Sequence, residues 1–204
     1  QAALVEPASV ANHALRRGRV APGERVAVLG AGTVGMLALQ EAKAKGATVF
    51  AVDRRKMSLD MAKRLGADAT INSEGEDAGR RLAELTDGVG PDVIIDAAGA
   101  ADTPRLAAQW VRPGGRVVLV AIYTQTSQLD FNLLVGAERE MIGSVAYERR
   151  DVEEVVKLIA SGALRTRELV SEVIGLDQVI EVGFARMMAP TKDVFRILVA
   201  PSRS

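Results

Sequence analysis

Along most of the chain, short unbroken apolar runs alternate with longer stretches whose apolar residues recur every three to four positions. Residues 26–29, 93–95 and 117–120 carry no internal polar position. Such runs predict parallel strands covered by helices on both faces, because a half-exposed sheet would alternate apolar with polar. Strands are expected at 25–29, 48–52, 69–71, 93–96, 116–121 and 141–146. Helical spacing predicts helices over 33–45, with Val34, Leu37, Ala38 and Ala42 inward, then near 58–65 and 77–85. Gly46 and Gly66 stop the first two. An opening helix over 8–18 ends at Gly18, ahead of the Pro22-Gly23 turn. After Tyr147 a helix starts with Asp151 as N-cap and acids in its first turn. Its expected buried stripe is Val152, Val155, Val156 and Ile159. A strand at 171–174, a helix near 176–187 and a strand at 194–199 follow.

The strand–turn–helix period predicts a doubly wound α/β fold, the Rossmann arrangement, with six parallel strands ordered 3-2-1-4-5-6. Strands 1 and 4 then flank the switch point, where ligands bind in such sheets. The turn after strand 1 reads Gly30-Ala-Gly32-Thr33-Val34-Gly35, the spacing G-x-G-x-x-G. Gly30 permits a tight turn, Gly32 lets the backbone approach a pyrophosphate, and Gly35 allows close helix–strand packing. The helix N-terminus adds free N–H donors and a positive dipole end. Asp53 closes strand 2, where a carboxylate accepts ribose hydroxyls and repels a 2′-phosphate, which favours NAD over NADP. Arg54 and Arg55 follow at once, and guanidinium groups are the usual phosphate partners. They are read as a solvated pair flanking the adenine, with Arg54 on the cofactor. The loop 97–100, with Ala98 and Gly99, lies across the crevice. Asp96 is expected to organise that loop, not to act as a base.

Composition removes several classes. With 26 basic against 26 acidic residues, the 204-residue chain has no net charge to favour nucleic acid or an anionic membrane. No apolar run approaches the roughly 20 residues of a membrane span. There are no cysteines and one histidine, so neither a disulfide framework nor a self-contained zinc centre is expected. The chain starts at Gln1 without a signal-like segment, and is expected to be a cytoplasmic piece of something longer. His13 has Ser9 four residues before it, but no acid partner is apparent. It is therefore expected to be a structural histidine.

Over nearly its whole length the sequence resembles the cofactor-binding half of the zinc-dependent medium-chain alcohol dehydrogenases, nearest the butanediol and sorbitol (polyol) branch. The resemblance rests on Ala3-Leu-Val-Glu-Pro7, His13-Ala-Leu-Arg-Arg-Gly18, Val28-Leu-Gly-Ala-Gly-Thr-Val-Gly35 and Leu65-Gly-Ala-Asp68. It continues through Gly88-Val-Gly-Pro-Asp-Val-Ile-Ile-Asp-Ala-Ala-Gly99, Arg112-Pro-Gly-Gly-Arg116, Met141-Ile-Gly-Ser144 and the tail to Ile197-Leu-Val-Ala-Pro201. It implies a zinc enzyme that oxidises a secondary alcohol or vicinal diol to a ketone with NAD. Glu6 would stand beside the catalytic zinc, as an exchangeable ligand or an aid to its bound water. Val10 would approach the nicotinamide ring. Backbone groups of Val120, Ala121 and Ile122, and of Ser144 and Ala146, would hold the nicotinamide carboxamide. The other zinc ligands would come from a missing catalytic lobe, so the isolated chain should bind cofactor with little or no turnover. Residues 1–18 would lead in from that lobe, 19–147 would form the NAD-binding domain, and 148–204 would return as an α/β tail. A homodimer or homotetramer is implied, with strand 6 as an edge that pairs between subunits. Two rival readings are a non-catalytic NAD sensor and an S-adenosylmethionine methyltransferase, which also pairs a glycine loop with an acid after strand 2.

Overall fold

A computed structural model describes residues 2–189 and 193–201. Its main sheet comprises β1 (Arg25–Leu29), β2 (Thr48–Asp53), β3 (Ala69–Asn72), β4 (Val93–Asp96), β5 (Arg116–Leu119) and β6 (Glu140–Gly143). All pairings are parallel and the order is β3-β2-β1-β4-β5-β6, as the pattern predicts. Alternate residues of one strand feed two separate cores. Val26 and Val28 join Val49, Ala51, Val93, Ile95 and Val118 on the face covered by α1 (Val5–Arg17), α2 (Thr33–Ala44) and α3 (Lys56–Arg64). Ala27 and Leu29 join Phe50, Val52, Ile71, Ile94 and Val117 on the other. That second face is covered by α4 (Ala78–Glu84) and α5 (Thr103–Trp110). Two covered faces leave no place for a polar position, which is why these strands read as unbroken apolar runs.

Two strands are shorter than the sequence suggests. β5 stops at Leu119: the Val120 N–H still reaches the Asp96 carbonyl as the next rung, at 3.0 Å, but the Ala121 N–H folds onto that same carbonyl at 3.1 Å. β6 stops at Gly143, and the chain then passes through Ala146 at φ 53°. α5 and the four-residue α6 (Asn132–Val135) answer to no expected element.

The helix after Tyr147, α7 (Arg149–Ala160), is capped by Glu148, not by Asp151. Asp151 is its third residue, and the two acids form a reciprocal capping box. The expected stripe also narrows: Val155 is fully buried while Val156 is 49% exposed. α7 packs on α1, so Asp151 is buried there beside His13 and Arg16. Beyond it, β7 (Val170–Ile174) and β8 (Arg196–Val199) form a separate two-stranded parallel sheet. The helix expected near 176–187 is a π-helical run, Val179–Phe184, passing into α8 (Ala185–Met188). No helix among the described residues is long and apolar enough to cross a membrane.

α1 and α2 meet across a polar pair inside the apolar layer. Asn12 Nδ2 donates to Glu41 Oε2 at 2.8 Å, and Glu41 is 0% exposed. Among the described residues, Asn12 Oδ1 and Glu41 Oε1 are buried without partners. Burial pushes the Glu41 carboxyl up to about 8. The Asn12 bond and Lys45 pull the other way, while Glu154 and Asp151 add to the rise.

Candidate cofactor-binding site

Register sets the site. Leu29 pairs with Val52 on one side and Asp96 on the other, so the chain leaves β1, β2 and β4 at the same edge of the sheet. Gly30 turns there at φ 85°, and a Cβ on it would lie 2.6 Å from Ala98 Cα. A Cβ on Gly35 would lie 2.0 Å from the Gly30 carbonyl oxygen. Two of the three glycines are therefore demanded by backbone packed against backbone. Gly32 differs: a Cβ there would meet nothing within 4 Å. It caps α2 with no side-chain hydrogen bond, so among the described residues the N-terminal N–H groups of this helix have no side-chain acceptor at the cap. An anion fits there.

Asp53 is buried at the end of β2. Its Oδ2 accepts from the Ala31 N–H at 2.8 Å, and its Oδ1 from the Arg55 N–H at 2.8 Å and Nε at 3.4 Å. The acid thus organises the glycine loop. Arg55 folds back onto Asp53, which leaves Arg54 as the exposed member of the pair. Thr33 departs from the simplest expectation, since its hydroxyl donates to the Phe195 carbonyl at 3.1 Å. What it can offer a phosphate is its N–H. Val34 follows it in the first turn of α2, half-buried.

Across the crevice Asp96 behaves as a loop organiser. Its Oδ1 accepts from the N–H groups of Ala98 (3.0 Å) and Gly99 (3.4 Å), and its Oδ2 from the hydroxyls of Thr103 (2.6 Å) and Tyr123 (2.7 Å). Burial, reinforced by the Asp96 bond and charge, holds the Tyr123 phenol well above its ordinary range, so it stays a donor. Val120 and Ala121 are half-buried beside this loop, and Ile122 is 90% exposed. Ser144 extends the ladder by one bond, its N–H donating to Leu119 O at 2.9 Å, with its Oγ buried and unpartnered among the described residues. Ala146 is exposed.

Gly30, Gly32, Thr33, Val34, Gly35, Asp53, Ala98, Gly99 and the 120–122 turn thus gather at one edge of the sheet. Glu6 and Val10 do not visibly join them. Glu6 is exposed in the first turn of α1 and Val10 is half-buried one turn on, and no described contact links either to the glycine loop. The expectation that His13 lacks an acid partner is wrong. Its Nδ1 lies 2.9 Å from Asp151 Oδ2, a partner 138 residues away. Ser9 is no partner: its hydroxyl donates to Val5 O at 2.8 Å. Asp151 is further tied by Arg16 Nε at 2.9 Å. Burial alone would raise its carboxyl. The Glu148 N–H, Arg16 and His13 outweigh that and hold it below the usual range. His13 thus ties α1 to α7.

Among the described residues no group of three or more His, Cys, Asp or Glu could hold a metal ion. The described residues therefore form no zinc site of their own, whereas the open cradle at Gly32 and the acid at Asp53 fit a dinucleotide.

Residues 33–161 match the zinc-binding dehydrogenase family. The (R,R)-butanediol dehydrogenase of Bacillus subtilis (strain 168) is 34% identical over 204 residues, covering 99% of this chain and 58% of that protein. The sorbitol dehydrogenase of the same organism is 31% identical over 205 residues, covering 100% of this chain and 58% of that protein. The crystal structure of 2R,3R-butanediol dehydrogenase from Bacillus subtilis superposes with a TM-score of 0.91 at 33% identity, over 98% of this chain and 57% of that one. The chain thus spans little more than half the length of these relatives. A parallel sheet in the order 3-2-1-4-5-6, a glycine cradle at its switch point and a family match over residues 33–161 converge: the chain belongs to the zinc-binding dehydrogenases.

Proposed function

We propose that this chain is the NAD-binding part of a zinc-dependent alcohol or polyol dehydrogenase that oxidises a secondary alcohol or vicinal diol to a ketone by hydride transfer to NAD. The observation that carries the reading is the glycine cradle. Gly30 and Gly35 are locked against backbone, a Cβ on Gly32 would meet open space, and α2 begins there without a side-chain cap. When bound, NAD supplies the hydride acceptor. The chain's own residues bind and orient it. N–H groups at Gly32, Thr33 and Val34 take the pyrophosphate, and Asp53 takes the adenosine ribose and disfavours a 2′-phosphate. Arg54 flanks the adenine. Ala98, Gly99 and the backbone of Val120, Ala121, Ile122, Ser144 and Ala146 line the nicotinamide end, which Val10 approaches.

Glu6 is the residue assigned to the zinc side, with every other ligand outside these 204 residues. The isolated chain is therefore expected to bind cofactor with little or no turnover. β6, hydrogen-bonded on one side to β5, is the edge expected to pair in a homodimer or homotetramer. A thermal-shift series with NAD, NADH, NADP and S-adenosylmethionine tests the assignment. Stabilisation by NAD and NADH above NADP supports it. A response to S-adenosylmethionine alone would replace it with a methyltransferase, and a preference for NADP would overturn the role given to Asp53.

A further inference from the structure

Tyr123 lies outside the glycine loop and the six strands, and the cofactor contacts proposed above do not include it. Yet its hydroxyl reaches the buried Asp96. That one residue holds two loops at once. Its carboxylate takes Ala98, Gly99, Thr103 and Tyr123, while its backbone carbonyl takes the N–H groups of Val120 and Ala121. The loops also touch directly. A Cβ on Gly99 would lie 2.9 Å from Ile122 O and 3.0 Å from Ala121 Cβ. The glycine loop rests on Ala98 through Gly30. The chain of support therefore runs from the cradle to Ala98, from Ala98 to Asp96, and from Asp96 to the 120–123 turn. Among the described residues, Tyr123 is the only side chain of that turn to bond Asp96.

We propose that Tyr123 is a positioning residue that fixes the 120–122 turn against the glycine loop, and so sets the nicotinamide end of the cleft relative to its pyrophosphate end. The inference rests on the dinucleotide reading above. Its hydroxyl touches no part of the cofactor in this scheme. It acts through Asp96, which the sequence marks only as a loop acid.

The test is Tyr123→Phe, which keeps the ring and removes the donor, on the 204-residue chain. NADH is titrated beside ADP-ribose, which carries the adenosine, the pyrophosphate and the second ribose but no nicotinamide. NADH binding should weaken about three- to tenfold, the scale of one net hydrogen bond, while ADP-ribose stays within about twofold. Equal losses for both ligands, or no loss for either, overturn the positioning role. A wild-type chain that binds neither ligand overturns the dinucleotide reading and this inference with it. Amide exchange on the free chain gives a second readout that needs no ligand. Tyr123→Phe should speed exchange across 97–100 and 120–123 while the β1 and β4 amides keep wild-type rates. Unchanged exchange in those loops would show that the hydroxyl does not hold them, whatever the titrations gave.

Discussion

The Asn12–Glu41 pair makes a quantitative prediction about stability. Glu41 has one oxygen paired with Asn12 Nδ2, and among the described residues its other oxygen and Asn12 Oδ1 have no partner. A proton on Glu41 Oε1 supplies the missing donor, and a neutral carboxyl avoids a buried charge. Glu41 faces Asn12 from α1, Lys45 one turn along its own helix, and Asp151 and Glu154 from α7. Lys45 is itself engaged by Glu154 at 3.1 Å, while His13 and Arg16 of α1 turn toward Asp151. A displacement from an ordinary 4.5 to about 8 corresponds, at ~1.4 kcal/mol per pH unit, to about 5 kcal/mol. The sign follows from proton counts. Between those values the folded chain holds a proton that the unfolded chain has released, so stability falls as pH rises and levels off above about 8. Glu41→Gln keeps the shape, stays neutral, and offers an N–H to Asn12 Oδ1. From pH 5 to pH 8 its advantage over wild type should grow by about 4 kcal/mol, or about 8–16 °C in Tm for a chain of this size. Parallel Tm profiles for the two proteins across that range would refute a protonated Glu41.

Two further predictions separate the packing from the ligand cradle and from the helix tie. Gly35→Ala places a Cβ against the Gly30 carbonyl and should cost about 3 kcal/mol, read as a fall in Tm. Gly32→Ala, built into open space at φ −82°, should leave the free chain's Tm within about 1 °C yet weaken NAD binding; equal Tm losses for the two variants would contradict the assignment of that space to a phosphate. Asp151→Asn should cost about 3 kcal/mol at pH 7, because it breaks a buried charged network. The depressed Asp151 carboxyl gives stability that is present above its unfolded value and lost as pH falls through its folded one. The variant's acid limb, measured by urea unfolding below pH 4, should therefore be flatter than wild type's.

How much of this was legible in the sequence depends on the range of the signal. β1 and β4 fall at the expected residues, and the strand order follows, because apolar runs and glycine turns are local. α5 escaped: Thr103-Pro-Arg-Leu-Ala-Ala-Gln-Trp110 is one short amphipathic pass, though Pro104 at its start is a standard opening signal. The Glu148/Asp151 capping box is hidden in the sequence because acids occupy both reciprocal positions, and either one reads as the cap. Spacing could not reveal His13–Asp151, Asn12–Glu41 or Tyr123–Asp96, whose members lie 138, 29 and 27 residues apart. An aromatic just past a strand end, 27 residues after the acid that closes its neighbouring strand, is the one faint signal of the last pair.

Those three long-range pairs share a consequence for the cleft. α1 carries Glu6 and Val10 and is tied to α2 through Asn12–Glu41 and to α7 through His13 and Arg16 on Asp151. α2 in turn carries the glycine cradle, which leans on Ala98 and, through Asp96, on Tyr123. α1 and the loops at the ends of β1, β4 and β5 are thus joined by polar contacts inside an apolar layer. Such contacts are directional where apolar packing is not, so they fix how α1 sits along α2 as well as that it sits there. If α1 and the 120–122 turn serve the proposed hydride transfer, that fixed seating is what the chain would bring to it before any ligand arrives.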